Sequence, residues 1–121
     1  MEKRLDKIFI CNISLLKKNS YKVIWVDNWK DELIIFRNDQ DKIKIFSSIC
    51  PHFGGEIYYD VKEKILRCKW HDWKFCVETG KCLTYQILGK LKAYDFTIDP
   101  KNLKNYSYTI ENNDIYAVRE K

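Results

Sequence analysis

Two short stretches constrain this chain more than anything else in it. Cys50-Pro51-His52 and Cys68-Lys69-Trp70-His71 hold both of its histidines and two of its five cysteines. The pattern is Cys-x-His, fifteen intervening residues, then Cys-x-x-His. Two thiols and two imidazoles on two short loops make a four-ligand metal site, with Gly54-Gly55 letting the first loop turn sharply. Residues 56–59 and 64–67 read as strands around the polar turn 60–63. That hairpin would carry both loops to one end, side by side.

The remaining sequence reads as strand almost throughout. Residues 22–26, 32–37, 42–45, 91–98, 106–110 and 115–118 are rich in β-branched and aromatic side chains or alternate with period two. Polar turns at 27–31, 38–41 and 111–114 separate several of them, 12–20 leaves room for one short helical turn, and 99–102 reads as a surface loop. No amphipathic helix and no internal repeat is visible. The expected fold is one all-β domain of antiparallel hairpins, in keeping with a length of 121 residues.

Composition removes several classes. No apolar run approaches the ~20 residues of a membrane span. The apolar run at 8–11 is too short for a signal-peptide core. A soluble cytoplasmic protein is expected. Five cysteines is an odd number, so a complete intrachain disulfide framework cannot use them all, and ligands or buried thiols fit a reducing compartment better. The excess of 22 basic over 17 acidic residues is mild and its lysines are scattered, which describes a solvated surface. Neither nucleic acid nor membrane is expected as a partner.

A structural zinc is one way to use two Cys and two His, but zinc sites usually have two to four residues between paired ligands, and Cys-x-His has one. The other is a 2Fe–2S cluster held by Cys on one iron and His on the other. Cys50-x-His52 with Cys68-x-x-His71, flanked by Pro51, Gly54-Gly55 and Trp70, resembles the Rieske iron–sulfur family. The continuation through Trp73-Lys74-Phe75, Glu78-Thr79-Gly80 and Cys82-Leu83 is similar to Rieske-type ferredoxins and oxygenases. The likeness runs from about Lys22 to Arg119. It implies a single Rieske domain over 1–121, with antiparallel sheets and a small cluster-binding subdomain whose ligand loops lie at about 48–56 and 67–75. It also implies Cys50, His52, Cys68 and His71 as the ligands.

The residues choose a branch of that family. Cytochrome bc-type members pair an extra Cys from each loop; the matching places look like Gly55 and Trp70, so no such disulfide can form. Where that branch has a Ser soon after the second His, this chain has Asp72 and Trp73. The resemblance is therefore to the low-potential branch. Imidazole ligands raise the potential to ~−150 to +300 mV against ~−400 mV for plant-type ferredoxins, and few hydrogen bonds to sulfur place this chain near the low end.

A one-electron carrier to an oxygenase or another redox enzyme is the function implied, with no catalytic residue of its own. The alternative is the Rieske part of a hydroxylase or oxygenase whose catalytic iron lies elsewhere, since no His beyond His52 and His71 exists to build a mononuclear iron site here. A zinc-stabilised interaction module is the remote alternative. The expected partners are a reductase and an oxygenase-like acceptor. Lys69, Lys74 and Lys81 are either solvated or a basic collar around the cluster tip facing an acidic patch. Trp70 and Trp73 are expected to wall the cluster from water, Cys11 to be a buried apolar side chain, and Asp72 to be a solvated loop carboxylate or an acceptor behind the ligands. Cys76 and Cys82 are expected as two thiols, a cross-strand disulfide being the other option.

Overall fold

A computed structural model describes residues 5–50, 55–69, 72–83 and 102–120. The strands are β1 (Leu5–Asn12), β2 (Ser20–Val26), β3 (Asp31–Arg37), β4 (Ile43–Ser47), β5 (Ile57–Asp60), β6 (Ile65–Cys68), β7 (Lys74–Cys76), β8 (Asn105–Glu111) and β9 (Asp114–Glu120). Two 3-10 turns, Ile13–Leu15 and Asp27–Trp29, interrupt them. All pairing among these strands is antiparallel. Six form one sheet in the order β1-β9-β8-β4-β3-β2, and three form a small sheet, β5-β6-β7.

The all-β expectation holds, and most strands lie where the alternation puts them. The expected strand at 91–98 and most of the loop at 99–102 fall outside the described residues. β1 and β7 go beyond the expectation. In β1 the register shifts between Phe9 and Cys11, so the apolar alternation breaks and only a short run stands out. β7 is three residues long, too few for any period to show.

β3 explains how two sheets share one molecule. Leu33, Ile34, Ile35 and Phe36 are all fully buried. Alternate side chains point to opposite faces, and so Leu33 and Ile35 enter one core with Ile45, Ile115 and Ala117. Ile34 and Phe36 enter a second core with Phe46, Ile57, Tyr59, Leu66 and Phe75. Each such side chain stabilises by about 1.5–3 kcal/mol. The second core welds the small sheet to the large one, helped by Tyr59 stacked on Phe36 with ring centroids 4.7 Å apart. Asn112 and Asn113, both left-handed at φ 52° and 67°, close the two-residue hairpin from β8 to β9, as asparagine readily does.

A polar knot ties β8 to the root of the first ligand loop. The Asp31 carboxylate accepts from the Tyr106 hydroxyl, from Ser47 Oγ at 2.7 Å and from the Glu32 backbone N–H at 2.9 Å. Tyr106 also stacks on Trp29 at 5.3 Å, with the Arg119 guanidinium 4.7 Å from the Trp29 ring centre. Burial above all, then the hydrogen bond to Asp31 and its charge, hold the Tyr106 phenol well above its ordinary range, against a smaller opposing pull from Arg119. Tyr106→Phe removes a hydrogen bond to a charged group, a loss of about 1.5–3 kcal/mol. The folded state keeps the phenol proton more tightly than the unfolded chain. That contribution is therefore intact below the unfolded value of about pH 10 and fades as pH rises above it. Urea unfolding at neutral and alkaline pH should show a less stable variant whose deficit narrows at high pH; a constant deficit would contradict the assignment.

Candidate metal centre

Each ligand loop leaves the sheet through a backbone clamp. Loop one starts at Ser48, which is fully buried. Its N–H donates to Glu32 O at 2.6 Å, its Oγ to Glu32 Oε1 at 2.7 Å, and its carbonyl accepts from the Ile57 N–H at 2.7 Å. Ile49 bridges to Glu56, and the Cys50 N–H donates to Gly55 O at 2.7 Å, closing the loop at its neck. Loop two leaves β6 at Cys68, whose N–H donates to Trp73 O at 2.9 Å while its carbonyl accepts from the Asp72 N–H at 3.0 Å.

The two necks are stitched together. β5 and β6 pair so that Ile57 lies opposite Cys68. One step further out, the Lys69 N–H donates to Glu56 O at 2.9 Å, and Lys69 Nζ meets Glu56 Oε2 at 3.1 Å. Cys50 and Cys68 are each 1% exposed and sit in the same apolar core as Ile57, Leu66 and Phe75. Two sulfur atoms at the roots of adjoining loops, fixed by main-chain bonds and shielded from water on the sheet side, are a donor set suited to a thiolate-binding metal centre. His52 and His71 lie outside the described residues, as do Pro51, Gly54 and Trp70. Trp73 is partly buried against the second core.

Behind loop two lies a charge cluster that sequence reading caught only in part. Arg67 Nε bonds Asp60 Oδ2 at 2.8 Å, and Arg67 Nη1 bonds Asp72 Oδ1 at 2.7 Å. Asp72 is thus a solvated loop carboxylate, 64% exposed in its side chain, that accepts from Arg67. The backbone N–H of Glu63 chiefly, then Arg67, pulls the Asp60 carboxyl below its usual range against the effect of burial. Hydrogen bonding to Asp72 raises the Arg67 guanidinium further. Arg67 directly precedes Cys68, the one signal in the sequence that could have pointed to it.

The remaining expectations divide. Lys69 is ion-paired rather than simply solvated, and Lys74 lies on β7 opposite Arg67, at the loop end of the small sheet. Lys81 does not join them. Its carbonyl accepts from the Cys76 N–H at 2.8 Å, and Cys76 pairs with Ile65 at the other end of β6. A ring of all three lysines therefore does not form. Cys82 bridges to Phe75 and is buried on the core side, whereas Cys76 is the next residue along and points to the other face. No disulfide joins them. Burial opposes ionisation of Cys76, but hydrogen bonds from Thr79 Oγ1 and the Glu78 and Thr79 backbones outweigh it and leave the thiol below its ordinary value. Cys11 is buried as expected, and that burial pushes its thiol up. No helix among the described residues is long and apolar enough to cross a membrane.

Comparison with known proteins bears on the nature of the centre. A family model for the Rieske [2Fe-2S] domain matches residues 6–95. Over 91 residues the chain is 28% identical to cholesterol 7-desaturase nvd 2 of Ciona intestinalis, covering 70% of this chain and 19% of that protein. Over 54 residues it is 39% identical to the oxygenase subunit of 3-chlorobenzoate-3,4-dioxygenase of Comamonas testosteroni, covering 44% of this chain and 12% of that subunit. The chain thus spans less than a fifth of either relative's length. In fold it is similar to the Sphingomonas yanoikuyae B1 ferredoxin, with a TM-score of 0.68 and 18% identity over 94% of this chain and 99% of the ferredoxin.

Proposed function

The chain belongs to the Rieske [2Fe-2S] domain family, and from that membership we propose that it works as a ferredoxin, a low-potential one-electron carrier serving an oxygenase or another redox enzyme. A Rieske-type 2Fe–2S cluster is its cofactor, which sets the zinc reading aside. In this reading the domain is the whole of 1–121, Cys50 and Cys68 hold one iron, and His52 and His71 hold the other. The observation that carries it is the burial of both thiols at the necks of two loops stitched through Glu56 and Lys69. When bound, the cluster takes up and gives back one electron. The chain's own part is to fix the donors and exclude water through Ile57, Leu66 and Phe75.

A reductase and an oxygenase-like acceptor complete the proposal, together with a cytoplasmic site of action. An acidic patch on the acceptor would meet Lys69 and Lys74. Because Glu56 partly cancels Lys69, the dependence on salt should be shallow. The second reading, a Rieske portion of an oxygenase assembly, is favoured by the relatives of matching sequence, which include an oxygenase subunit.

One preparation separates these readings. Purified as the full chain, the protein should be red-brown, with iron and sulfide in equal amounts, and reduced by dithionite with one electron. Reoxidation by ferricyanide, an anionic one-electron acceptor, should slow mildly as salt rises. A carrier elutes alone from its native source at about its chain mass of 14.6 kDa. Stable elution with a larger chain would decide for the assembly, and a colourless zinc protein would end both readings.

A further inference from the structure

We propose that the Asp72 carboxylate, locked in place by Arg67, is an electrostatic element of loop two that holds the reduction potential of the centre down, with Arg67 as the residue that positions it. The inference rests on the reading that loop two holds the cluster. Arg67 has a side chain only 15% exposed and divides its guanidinium between two carboxylates, Asp60 at 2.8 Å and Asp72 at 2.7 Å. Asp60 is itself anchored, accepting the Glu63 N–H at 3.1 Å in the hairpin turn. The clamp therefore runs from a fixed turn, through β6, to the ligand loop.

Asp72 is built into that loop. Its N–H bonds the carbonyl of Cys68 at 3.0 Å, and its backbone is left-handed at φ 55°. Asparagine tolerates that conformation as well as aspartate does, and its side-chain oxygen can accept from Arg67 in the same way. Neither the turn nor the hydrogen bond requires the negative charge, so the charge is available for another role. One guanidinium against two carboxylates leaves one net negative charge within the clamp itself, with the Lys74 cation opposite Arg67 on β7. Adding an electron to the centre adds negative charge, and a fixed negative charge nearby opposes it. The Asp72 side chain is 64% exposed, so water weakens that repulsion, and the bond to Arg67 fixes where the charge sits.

The test uses the full chain carrying its cluster, with midpoint potential, iron and sulfide content and the electron paramagnetic resonance line shape recorded for each variant. Asp72→Asn keeps the turn and removes the charge. It should shift the ratio of reduced to oxidised protein about threefold toward reduced, the modest effect of a water-exposed charge. Arg67→Gln leaves both carboxylates uncompensated and should shift the potential the opposite way. Both shifts should shrink as ionic strength rises. An unchanged or lower potential in Asp72→Asn would overturn the proposal. So would shifts of the same sign in both variants, the mark of a clamp that matters only for shape. If Arg67→Gln loses its iron, the sign and salt dependence of the Asp72→Asn shift decide alone. A wild-type chain without iron overturns the cluster reading, and this inference with it.

Discussion

Replacing Cys50 and Cys68 together by serine should abolish iron binding while the six-stranded sheet keeps its structure. The expected iron and sulfide content of the double variant is near zero, with the visible colour gone. Thiolate is the softer and far more acidic donor, and a serine hydroxyl neither ionises near neutral pH nor suits a cluster iron. The effect on the rest of the fold should be local. Both positions lie in the second core, whereas Leu33, Ile35, Ile45, Ile115 and Ala117 belong to the first. Each new hydroxyl in an apolar surrounding that is 1% exposed adds about 1–3 kcal/mol of desolvation cost where it finds no partner. The small sheet should therefore loosen before the large one. Far-ultraviolet circular dichroism and metal analysis on one sample separate the two effects. Two irons and two sulfides surviving in the double variant would show that the ligands lie elsewhere.

That Cys50 and Cys68 stand out in the sequence follows from the chemistry of the residues. Cysteine and histidine at fixed short spacing have few structural uses, so the motif speaks without a fold around it. The hairpins were legible for another reason: the alternation in Lys42-Ile43-Lys44-Ile45 and the polar turn at Asn112-Asn113 are local properties of the chain. What escaped was non-local. β1 hides behind a register shift, and Arg67 looks like any surface arginine until β5 and β6 pair and bring Asp60 and Asp72 to its two sides. The lysine collar failed in the same way. Nearness in sequence suggested one ring, but β6 and β7 run lengthwise between Lys69 and Lys81 and hold them at opposite ends of the small sheet. Exposed charge carries no period, and only the strand register sorts it.

Gly80→Ala should be strongly destabilising, for reasons of backbone and space together. Gly80 is left-handed at φ 77°, where an added Cβ costs about 1–2 kcal/mol. That Cβ would also stand 2.8 Å from the carbonyl oxygen of Leu103 and 2.9 Å from a ring carbon of Phe46. Neither neighbour can yield. The carbonyl is main chain, and it belongs to the residue whose N–H donates to Gly80 O at 2.8 Å. Phe46 is fully buried between the sheets. Overpacking of this kind adds about 1–3 kcal/mol, for a total of about 2–5 kcal/mol, or a fall in Tm on the order of 10 °C. The position also matters for the centre. The Gly80 N–H closes the turn onto Cys76 O at 2.7 Å, and that turn returns the chain so that Cys82 pairs with Phe75, beneath Cys68. Spreading the turn should loosen the floor of the site, so cluster absorbance should bleach at a lower temperature than in the wild type. Thr79→Ala serves as the control, since its hydroxyl only accepts the Lys81 N–H at 3.2 Å and touches the Cys76 thiol. It should shift Tm by no more than a few degrees. Equal Tm values for Gly80→Ala and Thr79→Ala would mean that the close approach of Leu103 and Phe46 to Gly80 does not constrain the folded protein.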